Sequence, residues 1–129
     1  MIDPTSLKYT PTHEWVHLDG DLATVGISKF AVEQLTDLIM IDLPKVGATV
    51  TPGKGFGEIE SVKAVSDLYA PVGGEVVEVN PAVKADVQVL NEDPYTKGWL
   101  IKVRVSDPSA VAKLLDHDAY QKRVAEDAH

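Results

Sequence analysis

Proline and glycine interrupt this chain at Gly20, Pro44, Gly47, Pro52, Gly53, Pro71, Gly73, Gly74, Pro81 and Pro94, and most stretches between the breaks have room only for a short strand. The β-prone runs they bound predict strands at residues 15–18, 22–27, 38–43, 56–60, 68–70, 75–79, 88–90 and 99–105. In the last run Trp99, Ile101, Val103 and Val105 share one face while Lys102 and Arg104 take the other, the period-2 pattern of a half-buried strand. Short strands separated by frequent turns indicate a mainly β protein, built as a sandwich or barrel.

Two stretches read as helical. One runs over residues 29–35, with Ser28 as N-cap and Ala31 and Leu35 facing inward. The other starts at Asp107-Pro108, a capping side chain followed by proline at the first helical position. It carries Val111, Leu114 and Leu115 at helical spacing and continues or restarts beyond Asp116 to about residue 125, leaving residues 126–129 as a frayed tail. With 129 residues the chain suits one domain over 1–129, with a core at about 9–106 and a C-terminal helical segment at about 107–125. A chain of this size buries roughly two thirds of the surface its unfolded form exposes, so it needs no covalent staples.

Composition narrows the function. There is no cysteine, which excludes disulfides, thiolate metal sites and cysteine nucleophiles. Twelve basic residues against 20 acidic ones give a net charge of −8, which repels nucleic acid backbones and anionic membranes. The first residues, Met1-Ile2-Asp3-Pro4-Thr5-Ser6-Leu7-Lys8, carry neither an apolar signal core nor an arginine-rich presequence, and no run reaches the ~18 apolar residues of a membrane span. The expected location is cytoplasmic, or mitochondrial if a transit peptide has been removed.

Lys63 lies in a short polar break between two β-prone runs, where a tight turn pushes its side chain into solvent. Such a lysine is either a solubilising charge or an attachment point. His13-Glu14-Trp15-Val16-His17 matches H-E-x-x-H, which on a helix would hold zinc between two histidines with the glutamate as general base; Glu33 lies where a further carboxylate ligand could sit. Pro11, the strand-favouring Trp15 and Val16, and the Asp19-Gly20-Asp21 turn signal predict a strand instead. Gly53-Lys54-Gly55-Phe56-Gly57 has neither P-loop nor dinucleotide-binding spacing and reads as a loop.

Longer strings carry a resemblance. They are His13-Glu14-Trp15, Val25-Gly26-Ile27, Asp42-Leu43-Pro44, Gly57-Glu58-Ile59-Glu60-Ser61-Val62-Lys63-Ala64, Ser66-Asp67-Leu68-Tyr69-Ala70-Pro71, Gly74-Glu75-Val76-Val77-Glu78-Val79-Asn80, Pro94-Tyr95 and Gly98-Trp99. Together they resemble the H protein family of the glycine cleavage system from about residue 9 to 120. Where that family usually has Leu-Gly-Asp this chain reads Leu35-Thr36-Asp37, and Phe30 stands where a polar or hydroxyl-bearing residue is common.

The resemblance implies a hybrid barrel-sandwich of two antiparallel sheets, of lipoyl/biotinyl type, with (R)-lipoate in amide linkage to Lys63. It implies a carrier rather than an enzyme. The pyridoxal-phosphate P protein loads the arm with the aminomethyl group of glycine, the tetrahydrofolate-dependent T protein takes the one-carbon unit, and the flavoenzyme L protein collects the electrons. Lipoylating enzymes are the remaining partners, and the carrier is expected to be a monomer. Glu14 and Asp67 match the family positions that contact the loaded arm, and Glu60, Ser61, Val62 and Ala64 frame the turn to be recognised.

Alternatives are a lipoyl relay donor to other enzymes and a zinc hydrolase using the His13–His17 string. A biotinyl domain or a 2-oxoacid dehydrogenase lipoyl domain is a further one. Biotinyl domains place methionines where Val62 and Ala64 stand, dehydrogenase lipoyl domains typically read Asp-Lys-Ala, and neither explains His13-Glu14-Trp15.

Overall fold

Antiparallel pairing of short strands gives the chain two sheets. The computed structural model describes residues 2–127. After a 3-10 turn at Pro4–Ser6 come β1 (Lys8–Tyr9), β2 (Glu14–Asp19), β3 (Leu22–Ile27), α1 (Lys29–Leu35), β4 (Leu38–Asp42), β5 (Thr49–Val50), β6 (Gly55–Ser61) and β7 (Val65–Tyr69). They are followed by β8 (Gly74–Val79), α2 (Pro81–Ala85), α3 (Val89–Glu92), β9 (Ile101–Val105), a second 3-10 turn (Pro108–Lys113) and α4 (His117–Asp127). One sheet has the order β1-β2-β3-β9-β8-β5, the other β4-β6-β7, and among the described residues neither closes into a barrel.

The two sheets share one apolar core. Val25, Val76, Ile101 and Val103 of the larger sheet are buried in the same cluster as Leu38, Ile59 and Leu68 of the smaller. On β9 the expected alternation holds from Ile101 onward, with Ile101, Val103 and Val105 buried and Arg104 exposed. Trp99, expected on the same face, instead precedes the strand with its ring centroid 4.9 Å from Lys102 Nζ, while Leu100 is the buried neighbour. A second cluster of Leu7, Tyr9, Trp15 and Tyr120 attaches α4 to the sheet edge. Its centre is the stacked pair Tyr9–Tyr120, with ring centroids 4.1 Å apart and planes within 4°, worth about 0.5–1.5 kcal/mol beyond the area buried. Trp15 lies across from Gly26 in the β2–β3 register. A Cβ on Gly26 would stand 2.5 Å from the indole, so only glycine allows the ring to close over the backbone.

The helices depart most from the sequence reading. The strand expected at 88–90 is instead the start of α3, because the Asp86 side chain accepts the Gln88 N–H at 3.0 Å and turns the chain. A run of three residues cannot separate the two periodicities. Helix α2 was not expected, although Asn80-Pro81 offers the same signal as Asp107-Pro108: the Asn80 side chain accepts the Ala82 N–H at 3.0 Å. On α1 the cap is Ser28 as expected, but Val32 is its buried residue and Ala31 and Leu35 are half-buried. The C-terminal segment is split, since Leu115 bridges to Tyr9 between the 3-10 turn and α4. Glu126 and Asp127 belong to α4 rather than to a frayed tail, and Ala128 and His129 lie outside the described residues.

Candidate functional site

Strands β6 and β7 form a hairpin with Lys63 at its tip. Glu60 pairs with Val65, and the Ser61 N–H donates to the Ala64 carbonyl at 2.8 Å, which leaves Val62 and Lys63 as the two loop residues. Ser61 is buried, and its Oγ accepts the Ala64 N–H at 3.2 Å in place of a backbone carbonyl. The Val62 N–H donates to the Asp37 carbonyl at 3.0 Å, tying the tip to the approach to β4. The base of the turn is therefore pinned while Val62, Lys63 and Ala64 are exposed. Among the described residues no carboxylate is paired with Lys63.

Beside this hairpin is a cleft of about 330 Å³, bounded by the start of β2, α1, β6–β7 and the end of α4. Glu14 and Asp67 both line it, with Ile27, Phe30, Leu35 and Leu68 among its apolar walls. Glu14 is almost wholly buried. Its Oε1 accepts the hydroxyl of Thr10 at 2.6 Å and that of Thr12, and its Oε2 accepts the Tyr69 N–H at 3.3 Å, so the carboxylate links β2 of one sheet to the edge strand β7 of the other. Burial pushes the Glu14 pKa up, while these three donors oppose the shift. A carboxylate has about four acceptor positions, and three donors leave one for a ligand. Asp67 is exposed on β7, the edge strand of its sheet. Glu60 is half-buried and flanked in register by Met40 and Val65.

The far wall of the cleft involves residues to which the sequence assigned no such place. His13 sits at φ 75° just before β2, with its ring between α1 and α4. Its Nδ1 lies 2.8 Å from the Tyr120 hydroxyl and its Nε2 is 2.9 Å from Asp127 Oδ2. The Tyr120 hydroxyl is also 2.5 Å from Ser28 Oγ, the atom that caps α1 by accepting the Ala31 N–H. Burial lowers the His13 pKa against the pull of Asp127, so the ring is held neutral. Burial also raises the Tyr120 hydroxyl to about 12, keeping it protonated. The consistent proton arrangement has His13 Nε2–H donating to Asp127 and Tyr120 O–H donating to His13 Nδ1. Tyr120 lies 107 positions from His13, so no local pattern could have revealed the pair.

The H-E-x-x-H string is therefore not on a helix: His13 precedes β2, and Glu14 to His17 lie on it. His17 is exposed on β2, Glu14 is committed to Thr10, Thr12 and Tyr69, and Glu33 is exposed on α1. Among the described residues no three His, Cys, Asp or Glu side chains are grouped to hold a metal, and no helix is long and apolar enough to cross a membrane.

Residues 7–127 match the family described as glycine cleavage H-protein. The chain belongs to that family. It is 51% identical over 121 residues to the glycine cleavage system H protein of Synechococcus sp. (strain CC9902), covering 94% of each chain. It is 50% identical over 124 residues to that of Rubrobacter xylanophilus, covering 96% of each. A crystal structure of a glycine cleavage system H protein from Mycobacterium marinum superposes with a TM-score of 0.84 at 40% identity, covering 98% of this chain and 100% of that one. Membership in the H-protein family agrees with the two antiparallel sheets of this fold.

Proposed function

We propose that this chain is the lipoyl-bearing carrier of the glycine cleavage system, with (R)-lipoate in amide linkage to Lys63. It takes the aminomethyl group of glycine from the P protein to the T protein and electrons to the L protein, and is itself no catalyst. The observation that carries the reading is Lys63 on an exposed hairpin tip with a pinned base, next to a cleft that holds two carboxylates. Lipoate bound there supplies a disulfide that opens on accepting the aminomethyl group and is later re-formed by oxidation of the dithiol.

The chain's own residues do the rest. Lys63 projects the arm, which reaches roughly 14 Å from Cα to the ring by summed bond lengths. Glu60, Ser61, Val62 and Ala64 form the turn that lipoylating enzymes read. Glu14 and Asp67 attract the ammonium at the end of a loaded arm, and in a partly dehydrated cleft that attraction is screened less than in water. Ile27, Phe30 and Leu35 provide apolar walls that keep water from the labile end. The protein acts as a cytoplasmic monomer, and its charge of −8 disfavours nucleic acid and anionic membrane partners.

Intact mass of the protein from its native host should show a lipoyl increment localised to Lys63. Lys63→Arg should change stability by no more than about 0.5 kcal/mol, yet abolish lipoylation and glycine–bicarbonate exchange with the P protein. Exchange retained by Lys63→Arg would end this assignment.

A further inference from the structure

The outer face of the β4-β6-β7 sheet, away from the core, carries two kinds of side chain beside Lys63: exposed apolar groups, and carboxylates whose one side-chain hydrogen-bond partner among the described residues is the Tyr69 hydroxyl, 3.5 Å from Asp67 Oδ2. Ile39, Met40, Val62 and Val65 are each at least half exposed around the turn. The bulge between Leu38 and Met40 turns Ile39 outward as well. Two positions further down the strands, Asp42 pairs with Glu58 and Glu58 pairs with Asp67, so three carboxylates stand side by side across three strands. Among the described residues no lysine, arginine or histidine forms an ion pair with any of them. Like charges directly opposite one another across strands destabilise a sheet. Exposed apolar side chains clustered next to an uncompensated row of one sign are the features of a docking face: an apolar contact with a charged flank.

We infer that this face docks the enzyme that acylates Lys63, through a basic rim at that enzyme's active-site mouth; the inference rests on the lipoyl-carrier reading. Reach selects this occupant. Enzymes that work on the end of a ~14 Å arm can do so without touching its root. The acylating enzyme must instead take in Nζ itself, only about 6 Å from Cα, and so must press against the residues around the turn. Its chemistry supplies the complementary charge. A carboxylic acid activated as an acyl-adenylate carries a phosphate, which is held by Lys and Arg side chains. The neutral Nζ amine, having lost a proton, attacks the acyl carbon; the amide C–N bond forms, the C–O bond to the phosphate breaks, and AMP leaves with the electron pair. Positive groups around that site meet the Asp42–Glu58–Asp67 row, while Met40 and Val65 fill the apolar contact.

The test compares the apo wild type with Asp42→Asn/Glu58→Gln and with Met40→Ser as substrates of a lipoate–protein ligase supplied with lipoate and MgATP. For the charge variant the KM for the carrier should rise about tenfold with little change in kcat, and its dependence on ionic strength should flatten. Its melting temperature should stay equal or rise, because cross-strand repulsion is relieved. Met40→Ser should also raise KM, with the salt dependence kept. Once fully lipoylated, the charge variant should support glycine–bicarbonate exchange at the wild-type rate. An unchanged KM would overturn the inference, and so would a loss of exchange as large as the loss of lipoylation, which would give the face to the decarboxylating enzyme. Failure of the wild type to be acylated at Lys63 would refute the carrier reading itself.

Discussion

Glu14→Gln separates the charge of the cleft carboxylate from its shape. The side-chain oxygen of Gln can keep the Tyr69 N–H, while its NH₂ faces Thr10 and Thr12, whose hydroxyls can rotate to accept where they now donate. The variant should fold, since the weaker hydrogen bonds are offset by relief from burying a charge. Under the proposed function, what it loses is attraction for the arm's ammonium. Unit charges 4 Å apart near a protein surface interact by about 4 kcal/mol at an effective dielectric of ~20, and desolvation leaves about 1.5–3 kcal/mol for a hydrogen bond to a charged group. At 1.4 kcal/mol per factor of ten, the docked arm should become about 10- to 100-fold less populated. The assay is ammonia release from the loaded protein without the T protein, which should accelerate accordingly. Unchanged release from a variant that melts like wild type would refute the role given to Glu14.

The same residue has a pH signature in the unloaded protein. Its folded pKa is raised above the ordinary 4.5, so the folded state takes up its proton first as pH falls. Its contribution to stability should therefore be fully present below 4.5 and lost as pH rises through the folded value, and Glu14→Gln should flatten that part of the stability–pH profile. Thr36 occupies φ 64° and ψ −122° at the end of α1, a conformation suited to glycine. Thr36→Gly should stabilise by about 1 kcal/mol, seen as a rise of about 3–5 °C in Tm. Tyr120→Phe deprives Ser28 Oγ and His13 Nδ1 of a common partner, and should cost about 1–3 kcal/mol while increasing amide exchange in α4. Because the folded pKa of His13 lies below the ordinary 6.5, its contribution is present above 6.5 and lost as pH falls through the lowered value; exchange in α4 should rise on acidification. Gly26→Ala would drive a Cβ into the Trp15 ring, and denaturant melts should show a loss of about 1–3 kcal/mol or more.

The Lys63 hairpin was legible in the chain because everything that makes it is local. Two β-prone runs, a polar break and the residues from Gly57 to Pro71 define strand, turn and strand within reach of one another. The N-cap of α1 was legible for the same reason. The stretch from Asn80 to Glu92 was misread because its apolar residues are too few to declare a period, and the side-chain caps of Asn80 and Asp86 decide the matter. Glu14 and Asp67 could be named from family resemblance, but the residues themselves did not say that they share a cleft.

That sharing is a product of tertiary structure. Glu14 accepts from the backbone of Tyr69 across 55 positions of chain and from one sheet to the other, and the opposite wall depends on an α4 residue meeting the approach to β2. The row Asp42–Glu58–Asp67 likewise exists only in the register of three strands. Backbone preference and capping act over a few residues, so the sequence alone determined a mainly β chain with a projecting lysine. The cleft and the docking face depend on which distant strands pair and in what register, which is decided when the two sheets bury their common core.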